Sequence, residues 1–352
     1  ALSHTLIIMN IENLSDYFVD FNYCGVTLSS ENLALLYQSS LQLKYDLKLP
    51  KVSFWGKIYG TYSDYYIVYG STNNLLEGKR FYYSPDCVSW AYLQVPSAED
   101  LKLNKLTNVR LTGDPSSETD VPDPSLLEKL DDRLAKEIEN PPMPNFNENP
   151  QEPNEGPPVS EPKSSEADDL EEDEEEQDIK PQTKKSYNNS LVNLLFEPGK
   201  KRLKEEDRLS CLIAEIDAQI HIIPRGSMIL SSTPRLRPNL SFTGLSRKEA
   251  MNLESYIHAK PSPDAIYKIV TTNSGDGKDP ALDFSPSIVF DEPKGCWCIK
   301  RLKPSGTVLL QNLMWLGGLS FHRPMTNHYG YTYFGTGLRN FDYPFLNNNQ
   351  SF

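Results

Sequence analysis

Cys296 and Cys298 are the residue pair best suited to binding a metal ion. On a β-strand they would share one face, with their thiols about 6.5–7 Å apart. A structural zinc site needs two further ligands at suitable spacing. The nearest candidates, His322 and His328, lie in no such motif. The pattern therefore favours two small buried apolar side chains over a metal site.

Three other patterns that could support chemistry are weak. Residues 273–279 read Asn-Ser-Gly-Asp-Gly-Lys-Asp, without the alternating acids and closing Glu of a calcium-binding EF-hand loop, so a polar turn is predicted. Gly335-Thr-Gly337 lacks the third glycine and the helix of a dinucleotide-binding turn. The five histidines have no Ser or Cys at a recognisable catalytic spacing. We predict no catalytic, cofactor-binding or metal site.

The charge of the chain is concentrated in one segment. The 352 residues include 35 Lys and Arg against 48 Asp and Glu, a net charge of −13. Residues 140–187 hold 14 acidic and 4 basic residues, which leaves 31 basic against 34 acidic residues elsewhere. A nearly neutral folded part has no basic footprint for nucleic acid or for an anionic membrane. Tyrosine-rich strands could stack bases, but a basic groove is missing.

Cysteine usage and hydropathy bear on the compartment. Five widely spaced cysteines argue against a secreted disulfide framework. No apolar run approaches the ~20 residues of a membrane helix, and the first residues do not resemble a signal peptide. The sequence predicts a reduced, cytosolic protein without a membrane partner.

The stretch 52–70 is the centre of the predicted fold. Phe54–Tyr59 and Tyr65–Tyr69 are rich in aromatic and β-branched residues, and a polar break between them predicts a hairpin. Tyr65, Ile67 and Tyr69 would face one side of the second strand, with apolar residues on the other, so we expect a strand covered on both sides. Gly56 indicates a bulge or a close backbone approach.

Helices and further strands surround this hairpin in the prediction. Ser29 is the expected N-cap of a helix to about Tyr45, and capping boxes at 125–128 and 246–249 predict two more helices. Apolar residues at helical spacing between Leu209 and Ile220 predict another. Predicted strands are listed in chain order: Phe81–Tyr83, Ser89–Leu93 with Trp90 as a core anchor, Val109–Leu111, Ser227–Leu230, Cys296–Arg301, Val308–Leu313, Leu319–His322 and Tyr329–Phe334.

The predicted fold class is α+β: a strand-rich mixed body with a few amphipathic helices, interrupted by a disordered acidic insertion. The predicted divisions are an N-terminal extension (1–27), two halves of one body (28–139 and 201–346), the insertion (140–200) and a tail (347–352). Nine prolines within residues 140–187 and nearly continuous acid at 166–178 leave too little apolar surface for a core. Leu191, Leu194, Leu195 and Phe196 form a small apolar cluster, either a local docking patch or a partner motif.

An ordered set of short motifs resembles the radial spoke head proteins of motile cilia and flagella. It begins with Phe-Trp-Gly-Lys-Ile at 54–58 and Asp-Tyr-Tyr-Ile at 64–67, and continues through Ile-Ile-Pro-Arg-Gly at 222–226 to Arg-Pro-Met-Thr-Asn-His-Tyr-Gly at 323–330. The match covers roughly residues 28–115 and 202–346, with the acidic tract and the first ~25 residues as departures. The signature residues, structural or interfacial in role, are Phe54, Trp55, Gly56, Lys57, Asp64, Tyr65, Tyr66, Pro224, Arg225, Gly226, Trp297, Trp315, Tyr329, Gly330, Tyr331, Gly335 and Gly337.

The resemblance implies a non-enzymatic subunit of the axonemal radial spoke head. Such a subunit relays mechanical signals between the central pair and the dynein arms. Its implied partners are radial spoke head subunits of the 4/6 type and other spoke proteins, with transient contact to central pair projections. It implies no cofactor, nucleic acid, membrane or small-molecule substrate. The alternatives left open are a cytosolic binding module and an unrecognised hydrolase.

Overall fold

A computed structural model describes residues 11–22, 24–72, 74, 78–121, 202–233, 235–271, 281–303 and 305–343. Residues 1–121 and 202–352 form one compact unit, and residues 122–201 a second. The second unit lies outside the described residues. So do the predicted helix after 125, the acidic insertion, the apolar cluster at 191–196 and the loop at 273–279.

An eight-stranded mixed sheet forms the centre of the first unit, in the order β11-β12-β13-β14-β1-β2-β3-β4. Its strands are β1 (Lys51–Ile58), β2 (Tyr65–Ser71), β3 (Lys79–Ser84), β4 (Ala91–Tyr92), β11 (Trp297–Arg301), β12 (Val308–Asn312), β13 (Gly318–His322) and β14 (Tyr329–Gly335). All neighbours are antiparallel except β1 and β14, which run parallel. This parallel pair joins the two halves of the chain within one sheet. The α+β prediction is confirmed.

The predicted hairpin is confirmed as β1 and β2. Its register shifts between Phe54 and Gly56, which is the predicted bulge. A Cβ atom on Gly56 would lie 2.1 Å from the carbonyl oxygen of Tyr333 on β14. Only glycine therefore lets β14 pair this closely with β1.

Both faces of the sheet are covered, as the sequence predicted. On one face, Trp55, Tyr65 and Tyr69 belong to a cluster with apolar residues of the helix at 205–220. On the other face, Phe54 and Val68 pack with residues of the N-terminal helices. β2 is buried along its whole length. A sheet buried on both faces explains why β2 reads as a continuous apolar run rather than an alternating one.

The described part of the chain contains five α-helices: α1 (Leu14–Asn22), α2 (Ser30–Asp46), α3 (Ala98–Lys105), α4 (Glu205–Ile220) and α5 (Pro263–Thr271). The predicted N-cap of α2 is confirmed, since Ser29 Oγ accepts from the Asn32 amide. The predicted buried stripe of α4 is also confirmed. α1 was not predicted, yet its Tyr17, Phe18 and Phe21 are buried. No helix among the described residues is long and apolar enough to cross a membrane.

In the ranges that the structure describes, three short antiparallel ribbons accompany the main sheet. They pair β5 (Glu118–Asp120) with β6 (Arg202–Lys204), β7 (Ile222–Pro224) with β10 (Tyr256–His258), and β8 (Met228–Leu230) with β9 (Leu236–Pro238). The first ribbon also joins the two halves of the chain.

Two predicted elements were wrong. The helix predicted after Ser246 is replaced by two 3-10 turns and β10. Its capping box forms, with reciprocal bonds between Ser246 and Glu249, but Asn252 caps a new turn and Tyr256 pairs with Pro224. Tertiary pairing thus overrides a local helix signal.

The other wrong element is the strand at Val109–Leu111, which is an irregular segment. The strand predicted over Ser89–Leu93 is limited to Ala91–Tyr92. Trp90 is only half-buried rather than a deep anchor. Its indole nitrogen donates to Ser39 Oγ, so it ties this segment to α2.

Candidate functional site

The signature aromatics converge on the centre of the molecule. Phe54, Trp55, Tyr65 and Tyr331 lie on adjacent strands of the sheet, and each is 2% exposed or less. The remaining signature aromatics, Tyr66, Trp297, Trp315 and Tyr329, are also buried. Burial on this scale leaves these side chains little surface for direct contact with a partner.

Asp217 on α4 is the polar centre of this cluster. Its carboxylate accepts hydrogen bonds from Trp55 Nε1 at 3.0 Å, Lys79 Nζ at 2.7 Å and Tyr331 OH at 2.7 Å. Lys79 Nζ is also 3.0 Å from His221 Nδ1. The group therefore connects β1, β3, β14 and α4, two elements from each half of the chain.

Electrostatic interactions keep Asp217 and Lys79, at the centre of this group, ionised. Burial raises the pKa of Asp217, but Lys79 and then His221 outweigh burial and the net pKa is lowered. Burial lowers the pKa of Lys79, and Asp217 opposes that shift. Burial, followed by Asp217, raises the pKa of Tyr331 well above its ordinary value. Trp55, Tyr331 and His221 supply three further hydrogen-bonding groups to this buried ion pair. Removing either charged side chain would therefore be strongly destabilising, because the other charge would stay buried without its partner.

Lys57 and Asp64 form a second, smaller ion pair at the turn of the central hairpin. Lys57 Nζ lies 2.7 Å from Asp64 Oδ2 and 4.8 Å from the centre of the Tyr66 ring. Burial lowers the pKa of Lys57, but the bond to Asp64 outweighs it and the pKa is raised. Tyr66 OH accepts from Asn32 of α2 at 3.0 Å. These signature residues thus hold the hairpin against α2.

Glu205, the first residue of α4, forms a polar centre that the sequence analysis missed. Its buried carboxylate accepts from Tyr65 OH at 2.8 Å and from the amides of Thr112 and Gly113 at 2.8 and 2.7 Å. The hydroxyls of Thr112 and Ser117 also donate to it. Burial raises the pKa of Glu205, but these hydrogen bonds outweigh burial and lower it. No sequence signal marks Glu205, because its partners lie about ninety residues or more away.

The C-terminal signature tryptophans are held by polar side chains at their indole nitrogens. Trp297 Nε1 donates to Asp291 at 2.8 Å, and His258 Nε2 lies 2.9 Å from the same carboxylate. Trp315 Nε1 donates to Gln219 of α4 at 2.7 Å. Both tryptophans therefore carry one end of a buried hydrogen bond, as large buried aromatics usually do.

The remaining signature residues shape the backbone. Arg225 pairs with Asp283 at 2.5 Å beside β7, where Pro224 pairs with Tyr256. Gly226 follows in the turn and Gly330 pairs with Phe321. A Cβ on Gly335 would lie 2.2 Å from the carbonyl oxygen of Leu316, so a larger residue does not fit. The amide of Gly337, at φ +73°, donates to the Tyr333 hydroxyl.

The predicted pair of buried cysteines is half correct. Cys296 is buried, and burial raises the pKa of its thiol to about 11, which makes it a poor nucleophile at neutral pH. Cys298 is exposed, because it lies on the open side of an edge strand. No cluster of His, Cys, Asp or Glu within the described part of the chain could hold a metal ion.

Two open depressions lie away from the polar centres. One, of about 950 Å³, runs between α2 and the segment with Val88 and Trp90. The other, of about 440 Å³, lies beside His258, Ser262 and Cys296. Asp217, Lys79 and Tyr331 line neither of them. These three groups are therefore placed to hold the fold, whereas the pair of His258 and Asp291 lines the second depression.

Comparison with known proteins relates the chain to one family. The family model of the radial spokehead-like proteins matches residues 4–206. A Homo sapiens protein named radial spoke head protein 9 homolog is 30% identical over 322 residues, 92% of this chain and 94% of that protein. Its namesake from Danio rerio is 32% identical over 325 residues, with the same coverage. The Xenopus tropicalis namesake is 28% identical over 341 residues, 96% of this chain and 100% of that protein.

The family match also extends further towards the N-terminus than the sequence motifs did. It starts at residue 4, whereas the motifs left about the first 25 residues unmatched. The buried side chains of α1 fit this extension, because they pack against β1 and β14.

Proposed function

This chain belongs to the radial spokehead-like protein family, and from that premise we propose that it relays mechanical signals within the spoke head. Membership supports a structural role in the radial spoke of the ciliary or flagellar axoneme. The finer proposal is that the subunit transmits force between central pair projections and the dynein arms. A relay needs a body that does not deform when it is pushed.

The observation that carries the proposal is the placement of the signature. Its aromatic residues lie in a buried core that joins the two halves of the chain through one sheet. Asp217 and Glu205 add buried polar links between strands and α4. Interiors packed in this way have low compressibility and transmit strain. Such a body suits a passive mechanical part.

We propose that the subunit is not an enzyme. The family is a structural axonemal component. The ionised groups that most resemble catalytic residues, Asp217, Lys79 and Glu205, have their bonding capacity taken by neighbouring side chains and amides. The buried thiols have raised pKa values. We propose no cofactor and no small-molecule substrate.

The proposed partners are other radial spoke proteins, in particular the head subunits of the 4/6 type, with transient contacts to central pair projections. The resemblance supports this, because the 4/6-type subunits carry similar Trp-Gly-Lys-Ile and Asp-Tyr-Tyr motifs. Exposed aromatic residues such as Tyr45 and Tyr62 supply side chains that are common in protein interfaces.

Fractionation of axonemes tests the proposal. Cilia are demembranated with detergent, and the chain is followed by quantitative immunoblotting in the detergent supernatant and in the axonemal pellet. A spoke head subunit stays in the pellet together with spoke proteins. A cytosolic binding module or a soluble hydrolase is released with the detergent fraction, and that result would contradict the proposal.

A functional readout completes this test. In cells that lack the chain, axonemes reactivated with ATP are expected to beat with an altered waveform, while the dynein arms remain attached. A normal waveform in axonemes without the chain would reject the relay while leaving a purely architectural role.

A further inference from the structure

β11 is an open edge of the main sheet. The sheet order places it at one end, with β12 as its single paired strand, while the 3-10 turn at Glu249–Met251 packs beside it. Its residues Cys298, Lys300 and Arg301 are exposed. The opposite edge, β4, is only two residues long. β11 therefore offers the longer free edge of the two.

The backbone of β11 carries hydrogen-bonding groups that point away from the sheet. Leu302 N donates to Thr307 O, and Leu313 N donates to Cys296 O. In an antiparallel pair, hydrogen-bonded residues alternate with residues whose amides point outward. Even-numbered residues of β11 therefore bond to β12, and the N–H and C=O groups of Ile299 and Arg301 face outward. Within the described ranges, no protein group bonds to these outward groups.

The side chains at this edge form a basic cluster. Lys300, Arg301 and Lys303 are all exposed and lie within four residues. Among the described residues, no carboxylate forms an ion pair with any of them. Lysines on an edge strand oppose pairing with neutral or basic strands. They favour a strand that brings negative charge.

We propose that β11 is a receptor edge for an extended, acidic segment of a partner protein, which adds a ninth strand to the sheet. This inference deepens the proposed function by assigning a surface for a partner in the spoke, and it rests on that function only for the setting of its test. Main-chain bonds to Ile299 and Arg301 provide affinity, and carboxylates opposite the basic cluster provide selectivity. Pairing of β11 with the β11 of a second copy does not fit, because it would place the two basic clusters against each other.

Zero-length cross-linking in whole axonemes tests the proposal directly. A water-soluble carbodiimide joins a lysine amine to a carboxylate only when the two groups are in contact. Peptide mapping is expected to show Lys300 or Lys303 joined to Asp or Glu in one extended segment of another spoke chain. Lys102 and Lys105, exposed on α3, serve as internal controls for random coupling. Equal coupling at all four lysines, or none at Lys300 and Lys303, would overturn the proposal.

Two variants separate the backbone bonds from the charge. Arg301→Pro and Arg301→Ala both remove the cation, but only proline also removes an outward N–H, and neither change removes a bond to β12. We expect the cross-link at Lys300 to fall about tenfold further in Arg301→Pro than in Arg301→Ala, the effect of losing about 1.4 kcal/mol of binding free energy. Similar cross-linking yields in the two variants would argue against strand addition.

The charge requirement is tested with a triple reversal, Lys300→Glu, Arg301→Glu and Lys303→Glu. Its matched control reverses the charge of three exposed lysines elsewhere on the chain, Lys48, Lys102 and Lys105. Unfolding midpoints confirm that all variants fold. We expect the first triple variant to compete poorly with wild type for incorporation into axonemes, and the control to compete normally. Release of wild type with detergent would reject the proposed function, whereas retention of wild type and of both triple variants would reject only the receptor edge.

Discussion

At the scale of single residues, Trp55 connects the hydrophobic core to its polar centre. Its side chain is 0% exposed, and its ring lies 5.5 Å from that of Tyr333. The hairpin pattern left Trp55 either structural or interfacial in role. It could not predict Asp217 as the hydrogen-bond partner, because that residue lies 162 positions along the chain.

Trp55→Ala should lower the free energy of unfolding by about 3–5 kcal/mol, because it leaves a large cavity and removes a donor from Asp217. Urea unfolding followed by circular dichroism measures the change. Tyr62→Ala is the control, since Tyr62 is 90% exposed, and its effect should stay within about 0.5 kcal/mol. Equal stabilities of the two variants would show that Trp55 is not a core residue.

His322 makes stability depend on pH. It is fully buried, and burial lowers its pKa to about 4. Its Nε2 accepts from the amide of Leu245, which requires the neutral ring. Between pH 6.5 and pH 4 the unfolded chain therefore binds more protons at this residue than the folded chain does. The free energy of unfolding should consequently fall by about 2 kcal/mol between pH 7 and pH 5 from this residue alone.

Burial, and then Lys79, also lowers the pKa of His221. His221 therefore also lowers the free energy of unfolding as the pH falls. The control for His322 is His322→Gln, which keeps an acceptor for the Leu245 amide and does not titrate. Urea unfolding at both pH values should show a loss about 2 kcal/mol smaller in the variant than in wild type. An identical pH dependence would mean that His322 keeps an ordinary pKa in the folded protein.

At the scale of elements, strong local patterns predicted the chain well. The central hairpin, α2 and α4 formed as expected: residue propensity and a polar break predicted the hairpin, the Ser29 cap and apolar spacing predicted α2, and apolar spacing alone predicted α4. The segment after Ser246 shows the limit. Its capping box forms, yet Asn252 starts a new turn and Ile257 pairs with Ile223. α1 was missed although its buried residues Leu14, Tyr17, Phe18 and Phe21 follow the i, i+3, i+4, i+7 spacing of one helix face, a signal that could have found it.

The N-terminus of α4 depends on a charged acceptor. Glu205→Gln should destabilise the protein by at least about 3 kcal/mol, since an amide would direct its own hydrogens at donors that now share a carboxylate. Thermal unfolding or urea titration gives this value. Asp207→Asn is the control in the same helical turn, because Asp207 is exposed and its loss should cost about 0.3–1 kcal/mol. Similar losses of stability in both variants would mean that Glu205 acts only as a negative charge at the helix N-terminus.

At the scale of the whole molecule, a pairing between distant segments defines the fold. β1 and β14 are parallel neighbours, with Gly56 opposite Tyr333. Sequence patterns predicted both strands but not their pairing, because strand patterns carry no information about which distant strand lies alongside. The ribbon of β5 and β6, which closes the unit at residues 118–120 and 202–204, was predicted neither as strands nor as a pair. Connectivity of this kind depends on shape matching across the core.

Limited proteolysis tests whether the two halves form one body. The sequence predicts a disordered insertion at 140–187, so a protease should cut between residues 140 and 190 and leave two fragments. The fragments should stay associated, because separating them exposes both faces of β1 and β14 and breaks the bonds of Trp55 to Asp217 and Tyr65 to Glu205. An unpaired buried charge alone costs several kcal/mol.

Size-exclusion chromatography of the cut protein should give one peak at the intact mass, and denaturing gels should show two bands. The same sample chromatographed in urea provides the control, with the fragments apart. Two native peaks, each with its own cooperative unfolding transition, would mean that the halves are independent domains and that the parallel pairing of β1 with β14 does not hold the molecule together.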